Sequence, residues 1–319
     1  MQAADRPADR PAAKQAPKLA PEMRAALDRL LAEDGPQPDP TTLPPAEGRA
    51  LSERLNRRWN TGTPVMAREL VVETADGRRA YVYIPDTDTG GRAILYIHGG
   101  GWCFCSAATH EGAARQLAQA CGAAVVTFDY RLAPEHRYPA GLEDCAAVWA
   151  GREAILPGRR WSVAGDSAGA NLAMALMLRL AGRDLPQAGL LFYGVWDADF
   201  ESPSYQAIAD GPGLTRDKMR RFWDFYADAG ARAHDPCLTP ANAPDALLAD
   251  LPPLYLNAAE IDPLCSDSQR LAARLHALGR GDVFDLVPGV THGFMQMSMW
   301  LPQSVAAFRR AGDIFREMT

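Results

Sequence analysis

Two stretches of the 319-residue chain hold residues whose types and spacing point at once to nucleophilic chemistry. The first, Gly165-Asp-Ser167-Ala-Gly169, is a Gly-x-Ser-x-Gly element between a β-prone run, Trp161 to Ala164, and a helical stretch, 168–181. A serine on a sharp strand-to-helix turn needs small residues two positions to either side, because larger ones would collide in the turn. It also sits at a helix N-terminus, whose partial positive charge favours developing negative charge. Ser167 is the expected nucleophile. The second stretch, His98-Gly-Gly-Gly101-Trp102, follows another apolar run. Consecutive glycines expose backbone N–H groups, and two such groups converging on one point make an oxyanion hole, each donor worth roughly 3–4 kcal/mol of barrier. His98 itself is expected to hold this loop by hydrogen bonds rather than to transfer protons.

An activated serine needs a base, and the base needs an orienting carboxylate. Six histidines are available, at 98, 110, 136, 234, 276 and 292. His292 stands in a short loop, Pro288-Gly-Val-Thr-His292-Gly293, directly after a β-prone run. His276 lies mid-helix between Leu275 and Leu278, His110 and His136 occupy polar, turn-like contexts, and His234 precedes Asp235-Pro236. The carboxylate should fall between serine and histidine in chain order, at the carboxyl end of a strand. Asp262 fits that place. Glu260 and Asp267 are its rivals by proximity, and Asp267 is expected to cap the helix that follows.

These residues need a frame. Val65 to Thr74 and Arg79 to Ile84 read as a hairpin about Asp76-Gly77. Strand-length apolar runs follow at Ala93–Ile97, Ala123–Phe128, Trp161–Ala164, Ala188–Phe192, Pro253–Ala258 and Val283–Val287. Helical stretches lie between most of them, at about 110–121, 139–153, 168–181 and 266–279, with a final one near 303–318. The alternation predicts an α/β fold of about eight strands, mostly parallel, flanked by helices. Ten of the 25 prolines fall in the first 64 residues. There, 1–18 reads as a loose tail, and 22–33 and 46–59 as short helices of an appendage. Nearly sixty residues between Gly194 and Pro252 contain no strand, and they include the aromatic stretch Arg221-Phe-Trp-Asp-Phe-Tyr226. An insertion of that length often forms a lid or part of a binding site.

Composition narrows the field further. The chain is 47% hydrophobic and 23% charged, with a net charge of −6, so it can bury a large core and lacks the basic surface that nucleic acid demands. No apolar run reaches the roughly 18 residues of a membrane helix. The N-terminus carries charges and prolines without an apolar h-region, and a cytoplasmic location is expected. The cysteines at 103, 105, 121, 145, 237 and 265 are expected as free, mostly buried thiols.

The chain order Ser167, Asp262, His292 is that of the α/β-hydrolases. Together with His98-Gly-Gly-Gly101-Trp102, Asp129-Tyr-Arg-Leu-Ala-Pro-Glu135-His136, Gly165-Asp-Ser-Ala-Gly169, Asp262-Pro-Leu264 and His292-Gly-Phe294, it resembles the hormone-sensitive-lipase family of serine esterases. The likeness runs from about Ala93 to Phe294, and it is to the bacterial branch with Gly-Asp-Ser-Ala-Gly. It implies oxyanion donors at the N–H groups of Gly100, Gly101 and Ala168, a bracing segment at 129–139, and support of the site from behind by Asp166 and Glu260. It also implies a helical cap from residues 1–60 and from an insertion at about 195–245 within a catalytic domain of 61–319, and relatives that are often dimers. Cys103-Phe-Cys-Ser106 departs from the family pattern, which bears on pocket shape. Trp102, Phe222, Trp223 and Phe294 are the candidate pocket walls. The expected activity is hydrolysis of short-to-medium acyl esters through an acyl-enzyme, with a small-molecule ester as partner and no metal or cofactor. An amidase or lactonase could use the same triad, and a non-catalytic small-molecule binder could share the fold.

Overall fold

Residues 18–180 and 182–319 are described by a computed structural model, so all but the last residue of the tail expected at 1–18 lies outside the described residues. The hairpin forms as β1 (Arg68–Glu73) and β2 (Arg79–Ile84), with Gly77 at φ +81° in the connecting turn. The remaining strands are β3 (Arg92–Ile97), β4 (Ala124–Phe128), β5 (Arg160–Asp166), β6 (Gly189–Phe192), β7 (Leu254–Ile261) and β8 (Val283–Thr291). They make one sheet in the order β1-β2-β4-β3-β5-β6-β7-β8. β2 runs antiparallel to both β1 and β4, and all other pairings are parallel. Nearly every residue of β3 to β6 is buried, because helices cover both faces and the strands can be apolar throughout.

Two cores result, one on each face of the sheet. One is filled from helices Ala140–Ala150, Ala168–Leu180 and Cys265–Ala277 by side chains such as Trp149, Met174 and Leu271. The other is filled from helices Glu111–Cys121 and Pro302–Met318 by Leu117, Phe308 and Phe315. The proline-rich N-terminal segment also contributes. Its helices, Pro21–Asp34 and Pro45–Asn56, each begin with proline in the first turn, where the missing N–H has no intrahelical partner to lose. Met23 is wholly buried, with Sδ 3.6 Å from Thr291 Oγ1, and the Ala20 N–H donates to Gly289 O at 2.8 Å. The segment is thus a partner in the second core, which corrects its reading as a mere appendage.

β8 also runs further than the expected Val283–Val287. Pro288 and Gly289 read as loop, but β8 is an edge strand, where proline costs no ladder bond on the open side. Past a register shift between Ala259 and Ile261, Thr291 pairs with Ile261. That pairing delivers His292 beside the residue after Ile261, which is Asp262. The segment 195–245 contains helices Pro203–Ala207, Arg216–Tyr226 and Ala229–His234 and no strand.

Helix Ala168–Leu180 packs almost without clearance on β3. A Cβ at Gly169 would fall 2.0 Å from Ile97 O and 2.5 Å from His98 O. Gly169→Ala should therefore destabilise by about 1–3 kcal/mol through overpacking, visible as a lowered thermal midpoint. Gly281, with open space around it, provides the control: Gly281→Ala should stay within about 0.5 kcal/mol of the parent. Equal midpoints for the two variants would refute the tight seating.

Candidate active site

Ser167 sits between β5 and helix Ala168–Leu180 at φ +54°, a left-handed conformation that costs a non-glycine residue about 1–2 kcal/mol. The turn is held because its neighbours leave no alternative. A Cβ at Gly165 would lie 2.5 Å from the Gly169 carbonyl, so both flanking glycines are dictated by contact. The Ser167 N–H donates to Phe192 O at 2.9 Å, fastening the turn to the end of β6. Three other non-glycine residues at positive φ, Trp102, Cys105 and Tyr193, lie in the segments around it. Such strain collects where a site must be pre-shaped.

The Ser167 hydroxyl lies 2.9 Å from His292 Nε2, and His292 Nδ1 lies 2.7 Å from Asp262 Oδ2. Asp262 is buried, and its other oxygen accepts the Leu264 N–H at 2.9 Å. Of the rival carboxylates, neither bonds the imidazole. Glu260 accepts the Gly289 N–H at 2.8 Å and so braces β8 three residues before His292. Asp267 does not cap its helix, which begins at Cys265 without a side-chain cap. It lies buried in the first turn and accepts the Asp197 N–H at 3.2 Å, and burial together with Asp197 raises its pKa well above the carboxylate range.

The glycine loop reaches over the serine from β3. Gly100 stands at φ +115° and Gly101 at φ +60°. The Gly100 carbonyl accepts from the Cys103 and Phe104 N–H groups, at 3.1 and 2.9 Å, which curls the loop. Among the described residues no acceptor takes the N–H of Gly100 or Gly101, and Ala168 opens its helix, where no preceding turn offers one. Asp166 anchors the loop: Oδ1 accepts the Gly99 N–H at 2.9 Å and the Tyr96 hydroxyl at 2.7 Å. Burial alone would push the Asp166 carboxyl up, but His110 and Tyr96 hold it below its ordinary range. His98 is buried, stacks on Tyr130 at 4.3 Å and lies with Nδ1 2.8 Å from Gly99 O. The Tyr130 hydroxyl donates to His98 O at 3.0 Å, and Asp129 accepts the Ala107 N–H at 2.7 Å, so the 129–139 segment grips the loop from outside.

The triad opens onto a cavity of about 270 Å³. Gly100, Gly101, Phe104, Val195, Leu214, Met219 and Phe222 line it, with Asp39 and Thr41 from the N-terminal segment and Lys218 from helix Arg216–Tyr226. Of the candidate wall residues only Phe222 faces it, its ring pressed where a Gly101 Cβ would be. Trp102, Trp223 and Phe294 do not, which is a correction. Trp102 is buried and stacks on Tyr226 at 4.3 Å and 3°, Trp223 packs on Trp102 at 4.7 Å, and Phe294 lies in the core against Tyr193. Within the unusual Cys-Phe-Cys stretch, Cys103 is buried while Phe104 and Cys105 line the cavity. Cys105 Sγ lies 3.4 Å from Ser52 Oγ, and burial pushes its thiol up to about 11.

Two residues at the site escaped the sequence reading. His110 lines the cavity with Nε2 3.5 Å from Asp166 Oδ2, and no spacing rule singles out a turn histidine. Tyr193 sets its ring edge-on to His292 at 4.9 Å. Its place just after β6 was a usable signal, since sites in such sheets gather at the carboxyl ends of strands.

Residues 94–296 match the model of a family described as having the alpha/beta hydrolase fold. The chain belongs to that family, in its hormone-sensitive-lipase-like form. It is 39% identical over 228 residues to carboxylesterase NlhH of Mycobacterium tuberculosis, covering 68% of this chain and 70% of that one. An ethyl acetate hydrolase of Pseudomonas putida is 33% identical over 247 residues, 73% of this chain and 77% of the relative. An ester-hydrolase from the metagenome of Lake Arreo, solved with a bipyridine phosphonate derivative, matches with a TM-score of 0.85 at 31% identity, covering 93% of this chain and 98% of that chain. This α/β-hydrolase is a carboxylic ester hydrolase. Among the described residues no helix is long and apolar enough to cross a membrane.

Burial, with repulsion from His110, lowers the His98 pKa from 6.5 to about 4. Between those values the unfolded hydrolase binds a proton that the folded one refuses, so stability is lost as pH falls through that window. His98→Asn keeps a donor near Gly99 O but does not titrate. Its thermal midpoint should fall less than that of the parent between pH 7 and pH 4.5, whatever its absolute stability. Parallel curves would exclude His98 as the titrating group.

Proposed function

We propose that this carboxylesterase hydrolyses short-to-medium acyl esters, with Ser167 as nucleophile, His292 as general base and Asp262 holding the imidazole. The observation that carries the reading is the unbroken chain Asp262–His292–Ser167, at 2.7 and 2.9 Å. Ser167 Oγ attacks the ester carbonyl while His292 Nε2 takes the hydroxyl proton, and the same nitrogen returns it to the leaving alcohol. The N–H groups of Gly100, Gly101 and Ala168 receive the oxyanion. Water, deprotonated by His292, then releases the acid from the acyl-enzyme.

The cavity supports the size class. A volume of about 270 Å³ lies just under the roughly 300–1,000 Å³ of sites for drug-sized ligands, which suits a short acyl chain with a small alcohol. The ethyl acetate hydrolase among its relatives supports the same range. The reading extends to a cap made of residues 1–60 and 195–245 over the domain 61–319. In its support, Arg221 donates to Thr41 Oγ1 and Asp39 Oδ2, both at 2.6 Å, joining the two segments at the cavity. It also includes a cytoplasmic location, which six unpaired cysteines suit, and a homodimer, for which edge strand β8 exposes Leu286.

Rates on p-nitrophenyl esters from acetate to palmitate should peak at short chains. Ser167→Ala should lose about a million-fold in kcat, and Asp262→Asn about ten-thousand-fold. A peak at palmitate would overturn the size class, and undiminished turnover by Ser167→Ala would remove it as nucleophile. Separately, Arg221→Ala should raise KM for the butyrate ester by a larger factor than it lowers kcat. An unchanged KM would argue against a cap that shapes the cavity.

A further inference from the structure

Helix Arg216–Tyr226 carries four cations, Arg216, Lys218, Arg220 and Arg221. Three of them have a carboxylate: Arg216 and Arg220 pair with Glu201, and Arg221 with Asp39. Among the described residues no carboxylate forms an ion pair with Lys218. Its Nζ donates to Gly213 O at 3.2 Å, which uses one of the three ammonium hydrogens. The neighbouring carboxylate is already taken. Asp39 Oδ1 accepts the N–H and the hydroxyl of Thr41, at 2.9 and 2.7 Å, and Oδ2 accepts from Arg221. Burial pushes the Asp39 carboxyl up, but those bonds and the charge of Lys218 hold it below its ordinary range. With Asp39 ionised and matched by Arg221, Lys218 leaves one positive charge over.

That charge stands at the substrate cavity. Lys218 lines it together with Gly213, which holds Nζ, and Asp39, which feels its field. The lysine is half-buried, so its ammonium stays within reach of a bound molecule. Leu214, Met219 and Phe222 beside it are apolar, and apolar surroundings screen a charge less than water does. The helix itself has no use for a cation here, because Lys218 is in the first turn, where the helix end is already positive. At the reacting end the charges have the other sign. Asp166 and Asp262 are buried behind the serine, each with its own hydrogen-bond partners. A negative group on the substrate is therefore favoured at Lys218 and not beside the ester carbonyl.

We infer that Lys218 determines specificity by holding a carboxylate carried by the ester, so that the preferred substrates are short esters with a carboxylate at the far end of one arm. Half-esters of dicarboxylic acids carry it on the acyl arm, and esters of hydroxy acids on the alcohol arm. A carboxylate oxygen can accept the hydrogens that Gly213 does not take, and charge-assisted bonds of this kind are stronger than neutral ones. A compact charge on a flexible stem also follows arms of different length. The inference rests on the ester-hydrolase reading of the Ser167 site.

Two matched pairs test it, each exchanging the carboxylate for a methyl ketone of the same shape: monoethyl succinate against ethyl levulinate for the acyl arm, and acetoxyacetate against acetoxyacetone for the alcohol arm. Hydrolysis is followed by pH-stat at pH 8, and kcat/KM is taken for the parent, Lys218→Gln, Lys218→Glu, Lys218→Arg and Arg220→Gln. In the arm that Lys218 serves, the anion-to-ketone ratio should fall about fivefold in Lys218→Gln, the upper range for one partly exposed ion pair, and further in Lys218→Glu. Lys218→Arg keeps the charge and should keep the ratio within about twofold, as should Arg220→Gln, whose charge is already spent on Glu201 and Asp217. A purely structural role for Lys218 would lower both members of a pair alike. Ratios unmoved by Lys218→Gln and Lys218→Glu in both arms, or moved as much by Arg220→Gln, would overturn the inference while leaving the esterase reading intact. If the Lys218 variants fail to fold, the parent decides between about 20 mM and about 500 mM NaCl. A ratio that falls with salt in one arm supports the inference, and ratios constant in both overturn it. A parent that cleaves none of the four esters overturns the ester reading and the inference together.

Discussion

Helix Ala168–Leu180 sits so close to β3 that the carbonyl oxygens of Ile97 and His98 occupy the space a side chain at position 169 would need. Much of the site follows from that contact. With the helix start pressed against the end of β3, the chain leaving β5 has no room for a relaxed turn, and Ser167 is held at positive φ. The same closeness brings the first turn of the helix, with its unpaired amides, against the glycine loop that leaves β3. A strained serine and a set of free N–H groups thus arise from one packing constraint. The strain of about 1–2 kcal/mol is small beside the burial of helix residues 168–178.

Behind the serine lies a buried polar layer that keeps the loop in place. Asp166 collects the Gly99 N–H and the Tyr96 hydroxyl, with His110 3.5 Å away. A carboxylate in that position is tolerable only because each oxygen has partners, and its lowered pKa expresses the same fact. His98 answers to the opposite pressure. Packed on Tyr130 and beside His110, it is held neutral well below the ordinary histidine range. Further out, Arg49 from the N-terminal segment donates to Cys103 O at 2.9 Å and Ala133 O at 3.0 Å and pairs with Glu135. One side chain thereby links helix Pro45–Asn56, the glycine loop and the 129–139 segment.

The aromatic residues show how packing and lining divide. Helix Arg216–Tyr226 turns Trp223 and Tyr226 into the core and leaves Met219 and Phe222 to meet the cavity. Trp102 follows the glycine loop directly, but its stack on Tyr226 takes it away from the substrate side. The apolar walls come instead from Phe104, Leu214, Met219 and Val195, residues of modest size from four separate segments. That division makes the surroundings of the serine largely apolar.

Read alone, the sequence determined the parts that depend on local pattern. Strand-length apolar runs alternating with helical stretches required a mostly parallel sheet, and Asp76-Gly77 required a hairpin. Gly-x-Ser-x-Gly between a strand and a helix, with a histidine after the last strand and an aspartate between them, marked the residues whose side chains now stand within hydrogen-bond distance. Tertiary structure decided what depends on contacts between distant segments. The sequence could not show that β8 would run through Pro288 to Thr291, because its edge position, which excuses a proline, is a property of the sheet. Nor could it tell that Asp267 would be buried against Asp197 rather than cap its helix, or which aromatics would pack and which would line the cavity. His110 had no local signature at all. Local periodicity says which face of an element is apolar, but a cavity wall is assembled from single residues of many elements, and only their packing determines which ones it contains.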